Sequence, residues 1–321
     1  MKKDIFIWSE IHKNLEKFCL NPTAEVLNIF ACEEWEVHPY WQNYSYFETL
    51  DQYSQNNQLN MIFGCFDTDE HRKKIVKPTG SNLYYWETHW ITHTYQSLLK
   101  VDYPQPNNIT KTFLSLNHQP HVHRCLLLDY ISKNDLFDDG DISWHFPNVD
   151  YKWLYWKPKK LILDEQYSKQ LNSYNTLPEG FSTTFMSIVA ESNIGVHFVT
   201  EKTWMNIFFK RPFLIFGPAG INNIITKLGF VLYDEIFDYA FDQVTDDQTR
   251  CDMMLENIHR IKNDNFENLR NKIKNKLEHN FSLANKLALD QSMWPKPVTD
   301  LYQRYQNDNS IDQAYRRWLE L

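Results

Sequence analysis

Thr200-Glu201-Lys202-Thr203-Trp204-Met205-Asn206 sets an acid beside a base at a helix start, and the apolar run from Pro212 to Phe216 then leads into a turn at Gly217. Such a unit suits a ligand carrying both hydroxyls and phosphates. A carboxylate at Glu201 accepts both hydroxyls of a ribose diol. The compact ammonium of Lys202 meets a diphosphate, and a glycine turn lets the backbone lie close to the ligand. Two other segments offer matching groups. Asn117 and Arg124 follow an apolar stretch at 112–116, and Glu191 follows another at 185–190. Arg124 supplies a planar fork for two phosphate oxygens, while Glu191 either takes hydroxyls or holds Lys202 in place. Departure of a diphosphate from a sugar develops negative charge, and fixed cations aimed there lower the barrier. Each residue alone also reads as a solvated surface charge. The convergence of several at strand ends is what points to a site.

The elements that must position these groups follow from periodicity and breaks. Residues 4–19 carry helical spacing, with Ile5, Trp8, Ile11, Leu15 and Phe18 on one face. Short apolar runs at 26–31, 59–66 and 82–86 read as buried strands, and a helix is expected near 91–99. Pro104-Gln105-Pro106-Asn107-Asn108 then breaks the chain. Beyond it come strands at 112–116, 185–190 and 213–216, with a turn at 117–120 and a helix at 122–132. After Gly220, Ile221, Ile224, Ile225 and Leu228 make a helical stripe that ends at Gly229. From about residue 257 the tail reads as two helices separated by Trp294-Pro295-Lys296-Pro297. Strands alternating with helices imply parallel sheets in both halves, where ligands bind at the carboxyl ends of the strands. The expected fold is therefore α/β, with two Rossmann-like domains over 1–106 and 107–256 and a helical segment over 257–321.

The bulk properties narrow the class. A chain of 321 residues with 42% hydrophobic content supports two packed domains. The net charge of −8 argues against a general nucleic-acid coat or an anionic membrane surface. No apolar run approaches a membrane span, and Met1-Lys2-Lys3-Asp4 does not open a signal peptide. The cysteines Cys19, Cys32, Cys65, Cys125 and Cys251 are scattered and odd in number, so buried thiols in a reducing cytoplasm are expected. No pattern sets an oligomeric state.

Thr200, Glu201, Lys202, Trp204 and Asn206 together match a Thr-Glu-Lys-x-Trp-x-Asn signature. Over roughly 112–235 the chain thereby resembles the fucosyltransferase-like glycosyltransferases of GT-B architecture. Glu191-Ser192-Asn193 is similar to the family's upstream Glu, and Arg124 looks like the Arg on the first helix of its donor domain. The resemblance implies that Glu201 holds ribose while Lys202 and Arg124 hold the diphosphate, with Asn117, Glu191, Thr200 and Gly217 completing the donor site. Met205 stands where the signature has Arg, and Phe209-Lys210-Arg211 replaces a small Ala-Gly pair, so neither fucose nor guanosine is carried over.

An inverting transfer needs a base on the acceptor hydroxyl. Glu33, Glu34 and Glu36 lie just past the strand at 26–31, and Asp67 and Glu87 follow later strands; Glu34 is favoured, with Asp67 second. Asp67-Thr68-Asp69 also has the form of a metal-holding DxD triplet. It is redundant where Arg124 and Lys202 neutralise the leaving group, so no metal or other cofactor is expected beyond the nucleotide sugar. His118, His121 and His123 enter a helix too closely spaced to converge on a metal, and one of them is expected at phosphate or acceptor. The stretch 152–160 interleaves lysines with aromatics, as a stacking platform would, or as a packed strand with solvated lysines would. The expectation is a cytoplasmic, metal-independent glycosyltransferase with chemistry in the interdomain cleft and a saccharide or glycoconjugate acceptor. Two rivals remain: transfer to hydroxymethylated bases of DNA, as in viral DNA glucosyltransferases, and a non-catalytic carbohydrate- or nucleotide-binding protein.

Overall fold

The computed structural model describes residues 4–8, 25–31, 46–75, 77–99, 108–149, 154–157, 159–161, 163, 177–192 and 194–307. The fold is α/β with two all-parallel four-stranded sheets. The chain divides into two compact units, Met1–Trp90 with Leu289–Leu321, and Ile91–Ala288. The division thus falls at Trp90 and not near residue 106, and the end of the chain returns to the first unit.

The first unit holds β1 (Asp4–Trp8), β2 (Val26–Ala31), α1 (Tyr46–Asn56), β3 (Gln58–Phe63), α2 (Asp69–Lys74) and β4 (Asn82–Tyr85), with the strands ordered β1-β2-β3-β4. The helix expected over 4–19 is replaced at its start by a strand, β1, in register with β2 from Asp4↔Val26 to Trp8↔Phe30. Ile5 and Trp8 fit a helical spacing, but Ile5-Phe6-Ile7-Trp8 is a β-branched and aromatic run that pairing can claim. Residues 9–24 lie outside the described residues. The third strand stops at Phe63, short of 66.

Register in this sheet is set by polar groups. Asn28, Asn60 and Asn82 are paired opposite one another. Asn60 Nδ2 donates to Asn28 Oδ1 at 2.7 Å, and Asn82 Nδ2 donates to Asn60 Oδ1 at 3.0 Å. A one-residue slip would leave the buried amides of Asn28 and Asn60 unpaired, a cost of roughly 1–3 kcal/mol each. One end of the unit is filled by Phe30, Ile62 and Trp86 against Trp294, Val298 and Leu301, which brings in the final helix, α11 (Lys296–Asn307).

The second unit takes up the chain within α3 (His89–Leu98). It contains β5 (Lys111–Asn117), α4 (Val122–Lys133), β6 (Gly140–Trp144), the single turn α5 (Gly180–Thr183), β7 (Thr184–Ala190), α6 (Glu201–Phe208), β8 (Phe213–Phe216) and the turn α7 (Ile221–Ile224). Then follow α8 (Asp247–Ile261), α9 (Phe266–Lys272) and α10 (Lys274–Leu289). The stripe after Gly220 is one α turn passing into a 3-10 turn at Ile225–Leu228, and it does end at Gly229, whose φ of 93° is left-handed. The strand order is β6-β5-β7-β8. Strand β6 is absent from the sequence reading because Gly140 opens it and polar Asp141 and Ser143 interrupt it. Gly140 lies against the Phe113 ring, where a Cβ would sit 2.3 Å from the nearest carbon.

Arg211 explains one departure from the signature. Lys210 turns the chain with a left-handed φ of 48°. The buried Arg211 guanidinium then donates to Phe181 O (2.7 Å), Thr184 O (2.8 Å), Met186 O (2.7 Å) and Ser187 Oγ (3.0 Å). It fastens the start of β7 to the start of β8. Met205 is likewise a core residue, packed with Leu114, Phe181 and Phe209.

Cys65, Cys125 and Cys251 are buried free thiols. Among the described residues no helix is long and apolar enough to cross a membrane. Gly140→Ala is expected to lower stability by about 1–3 kcal/mol, because Phe113 is fully buried and must shift to admit the methyl group. Urea denaturation of the variant against the native chain checks this; an unchanged midpoint would contradict the packing of β6 on β5.

Candidate functional site

The strand order decides where the second unit can bind. From β5 the chain moves to β6 on one side, and from β7 to β8 on the other, so order reverses between β5 and β7. Loops leaving a parallel sheet at such a reversal diverge and open a crevice at the carboxyl ends. Asn117 ends β5, and Glu191 immediately follows β7.

Asn117 is held on three sides. Its N–H donates to Ser143 Oγ at 3.0 Å, and its Nδ2 donates to Ser115 Oγ (3.0 Å) and Ser115 O (3.4 Å). The remaining atom, Oδ1, is buried with no hydrogen-bond partner among the described residues. One turn into α4, Arg124 is 3% exposed, and its Nη1 donates back to Gln119 O at 3.4 Å. His123, 4% exposed, donates from Nε2 to Glu191 O at 2.6 Å and so ties the two strand exits together.

Glu191 is fully buried, and its carboxylate accepts from Thr200 N–H (3.2 Å), Thr200 Oγ1 (2.6 Å) and Thr203 Oγ1 (2.6 Å). It clamps the first turn of α6, whose N-terminal amides favour negative charge. Burial pushes its carboxyl up, against the opposing pull of Lys202 and the two threonine hydroxyls. Of the two expected roles, positioning of the Thr200–Lys202 turn is the one these bonds describe; its oxygens are already engaged and do not serve as a ribose acceptor.

That turn presents the charged pair. Thr200 caps α6 with extended backbone, and Lys202 Nζ donates to Glu201 Oε1 at 2.9 Å and Thr200 Oγ1 at 3.3 Å. The side chains of Lys202 and Glu201 are 29% and 17% exposed, so a ligand can reach both. Burial raises the Glu201 carboxyl, but Lys202, the backbone amide of Glu201 and His93 outweigh it and hold the group below the usual carboxylate range.

Arg124 and Lys202 come from distant parts of the chain and act on the same imidazoles. Burial first, then the positive potential of Arg124 and of Lys202, lowers both His118 and His121, the latter to about 4. His123 falls to about 3, chiefly by burial, with Arg124, His121 and Arg250 adding to it against the Glu191 carbonyl. His121 and His123 stack at 5.7 Å, while His118 faces His145 at 5.0 Å. The histidines are thus neutral neighbours of a cationic spot. Among the described residues no group of three or more His, Cys, Asp or Glu is placed to hold a metal ion.

The Gly217 carbonyl accepts from Arg250 Nη2 at 2.6 Å, and three amides of the turn that follows bond to Asp242. Gly220 N–H donates to Asp242 O at 2.6 Å, while Asn222 and Asn223 N–H each donate to the Asp242 carboxylate at 3.0 Å. Asp242 and Arg250 thus hold much of this turn in place beside the site. Arg250 and Asp242 carry no signal in the sequence, since both lie among charged residues of ordinary amphipathic spacing.

The candidate bases belong to the first unit. Glu34, with Glu33 and Glu36, lies outside the described residues. Asp67 forms a two-point pair with Arg72, 2.6 Å to Nε and 2.6 Å to Nη2, and its N–H donates to Glu87 Oε1 at 2.9 Å. Thr68 Oγ1 accepts the His71 N–H at 3.1 Å, so Asp67-Thr68-Asp69 is the start of α2.

No family model matches the sequence, and no curated protein matches it. The chemistry of the crevice has to be read from its geometry.

His123 makes that geometry testable. Its folded pKa lies below the ordinary 6.5, so its contribution to stability is complete above pH 6.5 and is lost as pH falls from there toward about 3. Unfolding free energy should drop by about 1.4 kcal/mol per pH unit from this one group. Urea titrations between those limits should show a shallower slope for His123→Gln; an identical slope would place His123 in solvent.

Proposed function

We propose that the crevice between β5 and β7 binds a nucleoside diphosphate sugar, and that the protein transfers the sugar to an acceptor hydroxyl. The observation that carries this is Glu191 at the reversal of strand order, which fixes the first turn of α6 bearing Lys202 and, through the His123 bond, the start of α4 bearing Arg124. Two fixed cations in a half-buried setting suit a diphosphate whose charge grows as the glycosidic bond breaks. Glu201, held ionised beside Lys202, suits a ribose diol. The buried Asn117 Oδ1 is an acceptor that a ligand hydroxyl can satisfy. With the two cations to take the leaving-group charge, the reaction is assigned as metal-independent and, given a base on the acceptor hydroxyl, inverting.

The same proposal takes both units as Rossmann-like domains of a GT-B-like enzyme. The second unit supplies the donor site, and the first supplies the acceptor side and the base. In support, each has an all-parallel four-stranded sheet. A non-catalytic nucleotide binder would use the same crevice but would release no free diphosphate.

A panel of uridine, guanosine and cytidine diphosphate sugars, assayed for slow release of nucleoside diphosphate, tests the activity. Lys202→Ala should lower that rate about 10²-fold, the scale of losing about 3 kcal/mol of charge stabilisation. Arg124→Lys, which keeps the charge of this buried group and removes its fork, should also slow the reaction with little change in thermal unfolding. Native-like rates in both variants would end the assignment.

A further inference from the structure

Residues 154–157 and 159–161 of the basic and aromatic stretch are fastened beside the crevice by contacts of their own. Leu161 forms an antiparallel bridge with Trp144 through two hydrogen bonds of 2.8 Å, which places Lys160 at the carboxyl end of β6, next to β5. Trp156 is core and offers no platform. Its N–H donates to Asp129 Oδ1 at 2.7 Å, its ring stacks on Phe137 at 5.7 Å, and it meets Trp144 edge-on at 5.9 Å. Between these anchors Lys157, Lys159 and Lys160 are exposed. Tyr155, on the outer side of Trp156, is 69% exposed.

From residue 142 to 161 the sequence has four lysines against a single acid, Asp150, in a chain of net charge −8. The positive character is therefore local. The stretch borders the crevice at His145, which follows β6 and meets the His118 ring at 5.0 Å. Lys160 also contributes, after burial and His118, to holding His145 below its ordinary value.

We infer that this rim, Tyr155 with Lys157, Lys159 and Lys160, binds single-stranded nucleic acid, a base stacking on Tyr155 and the lysines meeting successive phosphates. Lysines alone would accept any polyanion. An exposed aromatic ring anchored among them adds affinity for a flat base, the combination that single-strand binders use. The inference deepens the glycosyltransferase reading by naming a polynucleotide as the acceptor, and rests on that reading for the chemistry though not for the binding.

The test uses the full chain and a fluorescein-labelled single-stranded DNA oligonucleotide of mixed sequence, followed by anisotropy from low to physiological salt. Binding is expected, with Tyr155→Ala weakening it about ten-fold. The combined change Lys157→Gln, Lys159→Gln and Lys160→Gln should flatten the plot of log affinity against log salt by about 2, the share of three phosphate contacts on a single strand. All four side chains are exposed, so the variants should keep native thermal unfolding. No binding at low salt would overturn the inference, as would binding indifferent to Tyr155. Displacement by inorganic polyphosphate as readily as by unlabelled DNA would also overturn it. Oligonucleotide binding with no diphosphate released from any donor would sink the transferase reading and leave the rim intact; the converse would sink the rim alone.

Discussion

A buried carboxylate fixes the site. Glu191 leaves β7 and takes hydrogen bonds from the backbone and hydroxyl of Thr200 and from the hydroxyl of Thr203. Those bonds set where α6 begins, and so which residues face outward as its first turn. A shift of one residue would turn Glu201 and Lys202 away together. Burying a group such as Glu191 is costly; burial pushes its carboxyl up, and the threonine hydroxyls and the nearby Lys202 offset only part of that. The His123 bond to the Glu191 carbonyl extends the constraint to α4, and so to Arg124. Removal of Glu191 would therefore cost both the fold around α6 and the placement of Lys202 and Arg124.

Around that anchor the charges are arranged by depth. Arg124 and Arg250 are nearly inaccessible and hold carbonyls of the loops they emerge beside, Gln119 and Gly217. Lys202 and Glu201 are the reachable members, and each satisfies the other until a ligand competes. The neighbouring imidazoles of His118 and His121 are held below their ordinary range by burial and by these cations. Such an assembly keeps positive potential where an anion would sit without leaving bare cations in the unliganded state.

The sequence was informative wherever local pattern and tertiary demand agreed. Val26–Ala31, Thr184–Ala190 and Phe213–Phe216 are predominantly apolar, broken only by Asn28, Thr184 and Ser187, and strands buried on both faces look like that. Thr200 at a helix start with Glu201 and Lys202 behind it was legible from capping preference alone. The rest depended on partners far away in sequence. Asp4–Trp8 mimics a helix by spacing and becomes a strand because Val26–Ala31 pairs with it. Gly140–Trp144 has no strand signature, yet without it the order of strands, and hence the place where that order reverses, is invisible. The turn at Gly217 is visible in the sequence, but Asp242 and Arg250, which hold it in place from remote points in the chain, are not.

The row formed by Asn28, Asn60 and Asn82 has a meaning beyond the static sheet. Apolar strands of similar length can stack in many alignments of nearly equal energy, and such degeneracy traps a folding chain. Three amides that pair only when all three strands are correctly aligned lower the energy of that one alignment relative to its neighbours. An all-aliphatic version of the same sheet would be greasier and quite possible to collapse, but it would have lost the means of rejecting its own near misses.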